Sequence, residues 1–323
     1  MTLVIGHRGA PGYRPEHTRA SYELAIRLGV GAVEPDLVVT RDGVLVVRHE
    51  NELTGTTDIA DHPEFADRRR RATIDGVRRE GWFTEDFDWD ELATLRTRER
   101  LPALRPTSAG FDGTEPMLRL NDLLVLLEAS ERPVGLVAEV KHATYYDALG
   151  IDLIGLVREE LIGWSGRADL TVECFEESAL LALRDRGLRA RLVYLLEATG
   201  SAPDLTARVG RAALPYAAQL APSGLARLAR DIDGVSVDKA LLLDAEGRPT
   251  GLVSRIHDAG LSAFTWTLRP ENRFLHPAHR GTGGPAAWGK WEREFQSILA
   301  TGVDGVFVDH PDLVLRLLGG IGP

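Results

Sequence analysis

Short apolar runs rich in β-branched residues alternate with amphipathic stretches from one end of the chain to the other, and this alternation narrows the fold more than any other feature. A strand buried on both faces reads as a continuous apolar run, and a parallel neighbour needs a long crossover, usually a helix, to bring the chain back. The candidate strands are Leu3 to His7, Ala32 to Val39, Val44 to His49, Val134 to Val140, Leu170 to Phe175, Arg191 to Leu195, Gly234 to Val237, Ser262 to Leu268 and Asp304 to Val308. The pattern predicts an α/β fold, a (β/α)8 TIM barrel forming a single domain over residues 1–323, with one strand more than the barrel needs.

The surplus strand follows Asp42-Gly43, a dipeptide that favours a two-residue hairpin turn, so the Val44 to His49 run is expected to fold back antiparallel on its predecessor. In that register Arg41 faces Val44 and Asp36 lies opposite His49 on one face of the ribbon. Two stretches interrupt the rhythm. Residues 52–116 are polar, carry Trp82, Phe83, Phe87 and Trp89, and read as a loop subdomain inserted at the barrel mouth. Their Arg68 to Arg71 block reads as a solvated face. Residues 269–290 form a second long loop at the same end, and long structured loops in compact domains are more often functional than idle.

A net charge of -10 argues against a nucleic-acid partner, because phosphate backbones are held by clustered Lys and Arg in excess. The single cysteine, Cys174, can form no internal disulfide and supplies no thiolate zinc site, which is compatible with the cytoplasm. The apolar run Thr2 to Ile5 is too short for a signal peptide, so a cytoplasmic location is expected, although an exported form trimmed of a leader fits the same residues. No apolar stretch of about 18 residues is present to span a bilayer as a transmembrane segment.

In a barrel of this type the working groups lie at the C-terminal ends of the strands. There the sequence places His7 and Arg8, Glu34 and Asp36, His49 and Glu50, Glu139 and Lys141, Trp266, and Asp309 with His310. Glu34 and Asp36 are two apart on a strand and share a face. With Glu139 they offer hard oxygen ligands of the kind that bind a divalent cation, Ca2+ or Mg2+, rather than zinc. The plainer reading pairs these acids with Arg8 and Lys141 in a salt-bridge network. His7 and His49 suit acid and base, since imidazole titrates near neutrality, and Arg8 and Lys141 place positive charge where a phosphoryl group would sit. His276 and His279 have no third ligand in view, no Gly-x-Ser-x-Gly elbow marks a serine hydrolase, and Cys174 lies in an apolar strand as a core thiol.

Taken in order, HRGAPGYRPEHT (7–18), GAVEPDLVVTRDGVLVVRHE (31–50), AEVK (138–141), ECF (173–175), WTLRPEN (266–272) and GVDGVFVDHP (302–311) resemble the glycerophosphodiester phosphodiesterases, and the TGTTDIAD run after the second histidine resembles the bacterial periplasmic branch. The resemblance implies His7 and His49 as the acid/base pair, Glu34, Asp36 and Glu139 as cation ligands, and Arg8 and Lys141 as phosphate contacts. It also implies Phe175 and Trp266 as apolar walls of the glycerol and leaving-group pocket. Three positions depart from the family pattern: His17 stands where Asn is usual, Glu50 where Asp is usual, and Glu173-Cys174 where Gln and Ser are common. The expected reaction is metal-dependent hydrolysis of small-molecule glycerophosphodiesters to glycerol 3-phosphate and an alcohol. The rivals are a phospholipase D-like or phosphoinositide-type phosphodiesterase on the same barrel and a non-catalytic phosphodiester-binding protein; two proton-transfer groups argue against the binder.

Overall fold

The computed structural model describes residues 2–167 and 169–319. Twelve strands are formed in chain order: β1 (Leu3–His7), β2 (Ala32–Glu34), β3 (Asp36–Val39), β4 (Leu45–Val47), β5 (Arg70–Ile74), β6 (Val77–Gly81), β7 (Gly135–Val140), β8 (Leu170–Cys174), β9 (Arg191–Leu196), β10 (Gly234–Asp238), β11 (Ser262–Leu268) and β12 (Gly305–Val308). β1 pairs in parallel with β2 and β12, and the ladder runs on through β11, β10, β9 and β8 to β7, which pairs back to β2 and β3 and closes the barrel. β2 and β3 together fill one of its eight positions, interrupted at Pro35, whose ring nitrogen has no hydrogen to give to a ladder.

The barrel floor is filled by Ile5, Ala32, Val137, Val193, Phe264 and Phe307. A larger apolar layer lies outside, between strands and helices, and includes Val33, Leu37, Val140, Tyr146, Leu180 and Ile256. That double burial explains why the strands read as unbroken apolar runs. The first crossover helix, Arg19–Leu28, is capped by Thr18, whose hydroxyl oxygen accepts from the Ser21 amide, and is ended by Gly29 in the left-handed region. The same helix anchors the loop after β1: Ser21 Oγ accepts from the Ala10 amide (2.8 Å) and donates to the Arg8 carbonyl. Gly9 turns that loop at φ 94°, and a Cβ there would lie 2.5 Å from Ser21 Oγ. Among the described residues no helix is long and apolar enough to cross a membrane.

β4 does fold back antiparallel on β3, with a register one residue from the expected one. Leu37 pairs with Val47 and Val39 with Leu45, so the Arg48 amide donates to the Asp36 carbonyl and His49 falls beyond the ladder. The connection has three residues, Arg41-Asp42-Gly43, because a two-residue turn of the favoured type needs positive φ at both central positions and only Gly43 has it. Asp42 is held otherwise: its carboxylate accepts from the Thr40 hydroxyl and from the Trp89 amide of the insertion.

Within residues 52–116, β5 and β6 form a separate hairpin whose Asp75-Gly76 turn has φ 48° and 80°. Phe65, Trp82, Phe83 and Phe87 are buried beneath it, and Trp82 Nε1 donates to the Phe65 carbonyl (2.6 Å). The arginine block alternates: Arg68 pairs with Glu91 and Arg70 with Glu85 and Asp86, while Arg69 and Arg71 pair with Glu80 on the exposed side. Arg100 and Arg105, from the end of this segment, reach the strand ends of the barrel.

Candidate active site

Ladder register assembles the polar layer above the apolar floor. His7 of β1 is level with Glu34 of β2, and Asp36 of β3 is level with Glu139 of β7, which is level with Glu173 of β8. Residues level with one another in a parallel ladder point to the same side, so the strand ends deliver four carboxylates and a histidine to one mouth.

The four acids divide by their partners. One ligand oxygen each from Glu34, Glu139 and Glu173 lies within 4.8 Å of the others. Glu34 Oε2 accepts from the Arg8 amide (2.8 Å), while Glu34 Oε1 and Glu173 Oε2 are buried with no hydrogen-bond partner. Lys141 Nζ donates to Glu139 Oε1 at 2.7 Å. Burial raises all three, with repulsion from Asp36 added in each case and from neighbouring glutamates for Glu34 and Glu173. Glu139 rises to about 8 against the pull of Lys141, and Glu34 and Glu173 rise well above the usual carboxylate range. Orphaned buried oxygens and elevated acids are what a site shaped for a hard divalent cation shows without its ion, since the cation would satisfy the lone pairs and stabilise the anions. Asp36 stands apart. His17 Nε2 lies 2.8 Å from Oδ2, Arg8 Nε 3.2 Å from the same oxygen, and Lys141 Nζ 3.5 Å from Oδ1. Burial opposes its ionisation, but Lys141, His49 and Arg8 together hold it well below the usual range. The salt-bridge reading describes Asp36 and, through Lys141, Glu139, while Glu34 Oε1, Glu173 Oε2 and Asp36 Oδ1 are buried oxygens without a hydrogen-bond partner.

Each histidine is oriented from behind by a carboxylate. His7 Nδ1 lies 2.7 Å from Asp309 Oδ1, and Asp309 Oδ2 accepts from Arg105 Nη2 (2.6 Å) and Arg269 Nε (2.7 Å). Burial opposes ionisation of Asp309, but Arg269 and Arg105 keep it an anion. His7 must then donate its Nδ1 hydrogen, which leaves Nε2 as the bare, proton-accepting nitrogen. His49 repeats the arrangement, with Nδ1 2.6 Å from Glu50 Oε1. Burial lowers His7 to about 4, with Arg8 adding to the effect, and burial, Arg8 and Lys141 hold His49 below its usual value. Both rings are neutral at pH 7.

His7, Arg8, Glu34, His49, Glu139, Glu173, Phe175, Trp266, Arg269 and Phe274 line a cavity of about 330 Å3. Phe175 and Trp266 meet edge to face, 5.8 Å between ring centroids, and form its apolar side. Lys141 lies behind the wall, its ammonium 5.6 Å from the Phe175 ring centroid. Sequence reasoning gave no role to Glu173, Asp309, Arg269, Arg100 or Arg105. A signal existed for the first two, which are polar residues at strand ends beside assigned ones, and for Arg269, which closes a strand. None existed for Arg100 and Arg105, which sit in an Arg-rich insertion with nothing to separate them from their neighbours. His276 and His279 lie in the 269–290 loop, where the His276 ring accepts from the Ala278 amide.

The sequence pattern of the Glycerophosphoryl diester phosphodiesterase family matches residues 7–313. The chain belongs to that family. A glycerophosphodiester phosphodiesterase of Treponema pallidum is 28% identical over 98% of this chain and 92% of its own length. Another from Arabidopsis thaliana is 28% identical over 84% of this chain and 76% of its own. Among solved structures, a putative glycerophosphoryl diester phosphodiesterase from Silicibacter pomeroyi superposes with a TM-score of 0.68 at 21% identity, covering 98% of this chain and 93% of that one. An Oleispira antarctica phosphodiesterase in complex with the product sn-glycerol-3-phosphate gives 0.65 at 20% identity, covering 99% and 97%. At these identities the superpositions speak for the fold, which is the closed (β/α)8 barrel of this family.

Proposed function

We propose that the protein hydrolyses glycerophosphodiesters, such as glycerophosphocholine, to glycerol 3-phosphate and the free alcohol. The observation that carries the reading is the convergence of two histidines, each backed by a held carboxylate, on one cavity with an acidic trio and Arg8. Family membership supports the same reaction.

Glu34, Glu139 and Glu173 would hold a divalent cation, Ca2+ or Mg2+, which when bound supplies positive charge to the phosphoryl oxygens. Arg8 and Arg269 line the cavity and supply the remaining positive charge to the phosphodiester. His7, with bare Nε2, draws the proton from the attacking hydroxyl, either water or the substrate's own glycerol 2-OH. His49 takes up a proton at Nε2 as the phosphodiester anion binds and gives it to the oxygen of the departing alcohol as its bond to phosphorus breaks, returning to the neutral ring held by Glu50. Burial, Arg8 and Lys141 depress the basicity of His49; the acid role goes to it because the phosphodiester anion lying against Arg8 offsets the cationic part of that effect, while Asp36 and Glu50 favour the protonated ring. Phe175 and Trp266 flank the substrate and exclude water.

The test is release of glycerol 3-phosphate from glycerophosphocholine by the purified protein, before and after EDTA and with Ca2+ or Mg2+ restored. Cation-dependent release is expected, with His7→Ala and His49→Ala each slower by about 100-fold or more. Binding without release under any cation would make the protein a receptor.

A further inference from the structure

The 52–116 insertion reaches the site through two arginines, and each ends on the carboxylate behind one histidine. Arg105 is 6% exposed and uses three sides of its guanidinium. Nη2 donates to Asp309 Oδ2, Nε to Glu271 Oε1 (2.7 Å) and Nη1 to the Pro11 carbonyl (3.1 Å). Asp309 in turn accepts from His7. Arg100 forks onto two carboxylates: Nη1 and Nη2 donate to Glu50 (2.9 and 2.6 Å), and Nε and Nη2 donate to Glu16 (2.7 and 2.6 Å). Glu50 accepts from His49, and Glu16 also accepts from Arg8 Nη1. Glu50 Oε1 meets both His49 Nδ1 and Arg100 Nη1, and Oε2 takes Arg100 Nη2.

A carboxylate held only by an imidazole can rotate and take the ring with it, whereas the planar, multidentate fork of an arginine fixes the carboxylate plane. We infer that Arg100 and Arg105 are positioning residues that fix the ring orientation and tautomer of His49 and His7, so that the insertion completes the proton-transfer pair rather than only covering it. The inference rests on the acid/base roles proposed above. Electrostatics alone does not explain Arg105, because Arg269 already neutralises Asp309 from the end of β11. What Arg105 adds is a second direction of constraint and a tie to Glu271 in the other long loop. Arg100 links the carboxylate behind His49 to the one that braces Arg8, so the acid and the phosphate-facing cation are set by one group.

The experiment compares full-length Arg100→Ala, Arg100→Lys, Arg105→Ala and Arg105→Lys with His7→Ala, His49→Ala and the parent. The readouts are steady-state kinetics on glycerophosphocholine at saturating cation, thermal melts, and 15N spectra of the histidine rings. The Ala variants should lose about 10- to 100-fold in kcat, the scale of a misplaced catalytic group, with KM within about threefold of the parent. The Lys variants keep the charge without the fork and should recover only part of the rate. In the spectra the His7 or His49 ring should change from a fixed Nδ1–H tautomer to an average of two. Folded Ala variants with parental kcat, an unchanged ring spectrum, or a loss confined to KM would overturn the inference. If an Ala variant does not fold, Arg105→Ala combined with Glu271→Gln removes the buried acid left alone, and the Lys variants supply the same comparison. Parental activity in His7→Ala and His49→Ala would instead overturn the acid/base roles, and the ring spectra would then decide the positioning claim by themselves.

Discussion

Adding Ca2+ or Mg2+ to the metal-free protein at pH 7 should release protons. Burial and the neighbouring Asp36 raise Glu139 from 4.5 to about 8. At pH 7 such a group is protonated about ten times in eleven, and a cation takes only the carboxylate, so Glu139 alone gives up about 0.9 proton per ion bound. Glu34 and Glu173 are raised as well and add to the count, the three titrating as a coupled set. The same protonation weakens apparent affinity at pH 7 by about tenfold relative to pH 9. Calorimetry in two buffers of different ionisation enthalpy reads the proton count directly. Without cation, acids raised above their unfolded values favour the folded state below pH 4.5 and lose that contribution as the pH rises through about 8. Their share of the melting temperature should therefore fall over that window and return when cation is added. Zero proton release at pH 7, with affinity flat from about pH 6.5 to 8.5, would refute the reasoning, because the trio would then be ionised already or the ion would bind elsewhere.

Two substitutions test the parts of the site that carry least redundancy. Glu173→Gln removes one of the three clustered carboxylates and should weaken cation binding on the order of tenfold, more than Asp36→Asn does; the reverse order in calorimetric titrations would return Asp36 to the ligand set. Gly9→Ala puts a Cβ 2.7 Å from the Ser21 carbonyl carbon at φ 94°, so it should destabilise the protein by about 2 kcal/mol or more and disturb Arg8, and an unchanged urea midpoint would show that the loop relaxes freely.

The barrel was legible because its strands are buried on both faces, and double burial leaves a mark that local chemistry cannot hide: apolar runs of strand length, each ending in a polar residue. Every candidate strand is present to within two residues at either end. The hairpin register was not legible, although the turn dipeptide was read correctly as a reversal. Asp42-Gly43 is compatible with two- and three-residue connections, and the choice fell to Thr40 and to the Trp89 amide of the insertion, 47 residues away, which engage the Asp42 side chain. A sequence pattern records local preference, and here a distant contact decided between two turns of similar local merit.

The site divides along the same line. Residues whose role follows from standing at a strand end could be named one at a time: His7, Glu34, Glu139, Phe175 and Trp266 all face the cavity. What could not be read is which partner each polar group takes, because that depends on pairs far apart in the chain. Asp36 and Glu34 are alike in sequence terms, two apart and equally buried, yet the side chains of His17 and Arg8 close on one oxygen of Asp36 while only the Arg8 amide reaches Glu34, and each keeps a second oxygen without a hydrogen-bond partner. His17 is instructive. It sits at φ 58°, a left-handed backbone uncommon for a residue other than glycine. Its ring reaches Asp36 with one nitrogen and the Tyr22 hydroxyl with the other at 2.8 Å, and burial keeps it neutral. A neutral ring has one N–H, which the anionic Asp36 claims through Nε2, so the Tyr22 hydroxyl must donate to Nδ1. The ring therefore supports Asp36 from the loop after β1, and the acid level with Glu139 in the ladder is held as an anion by His17, Arg8 and Lys141.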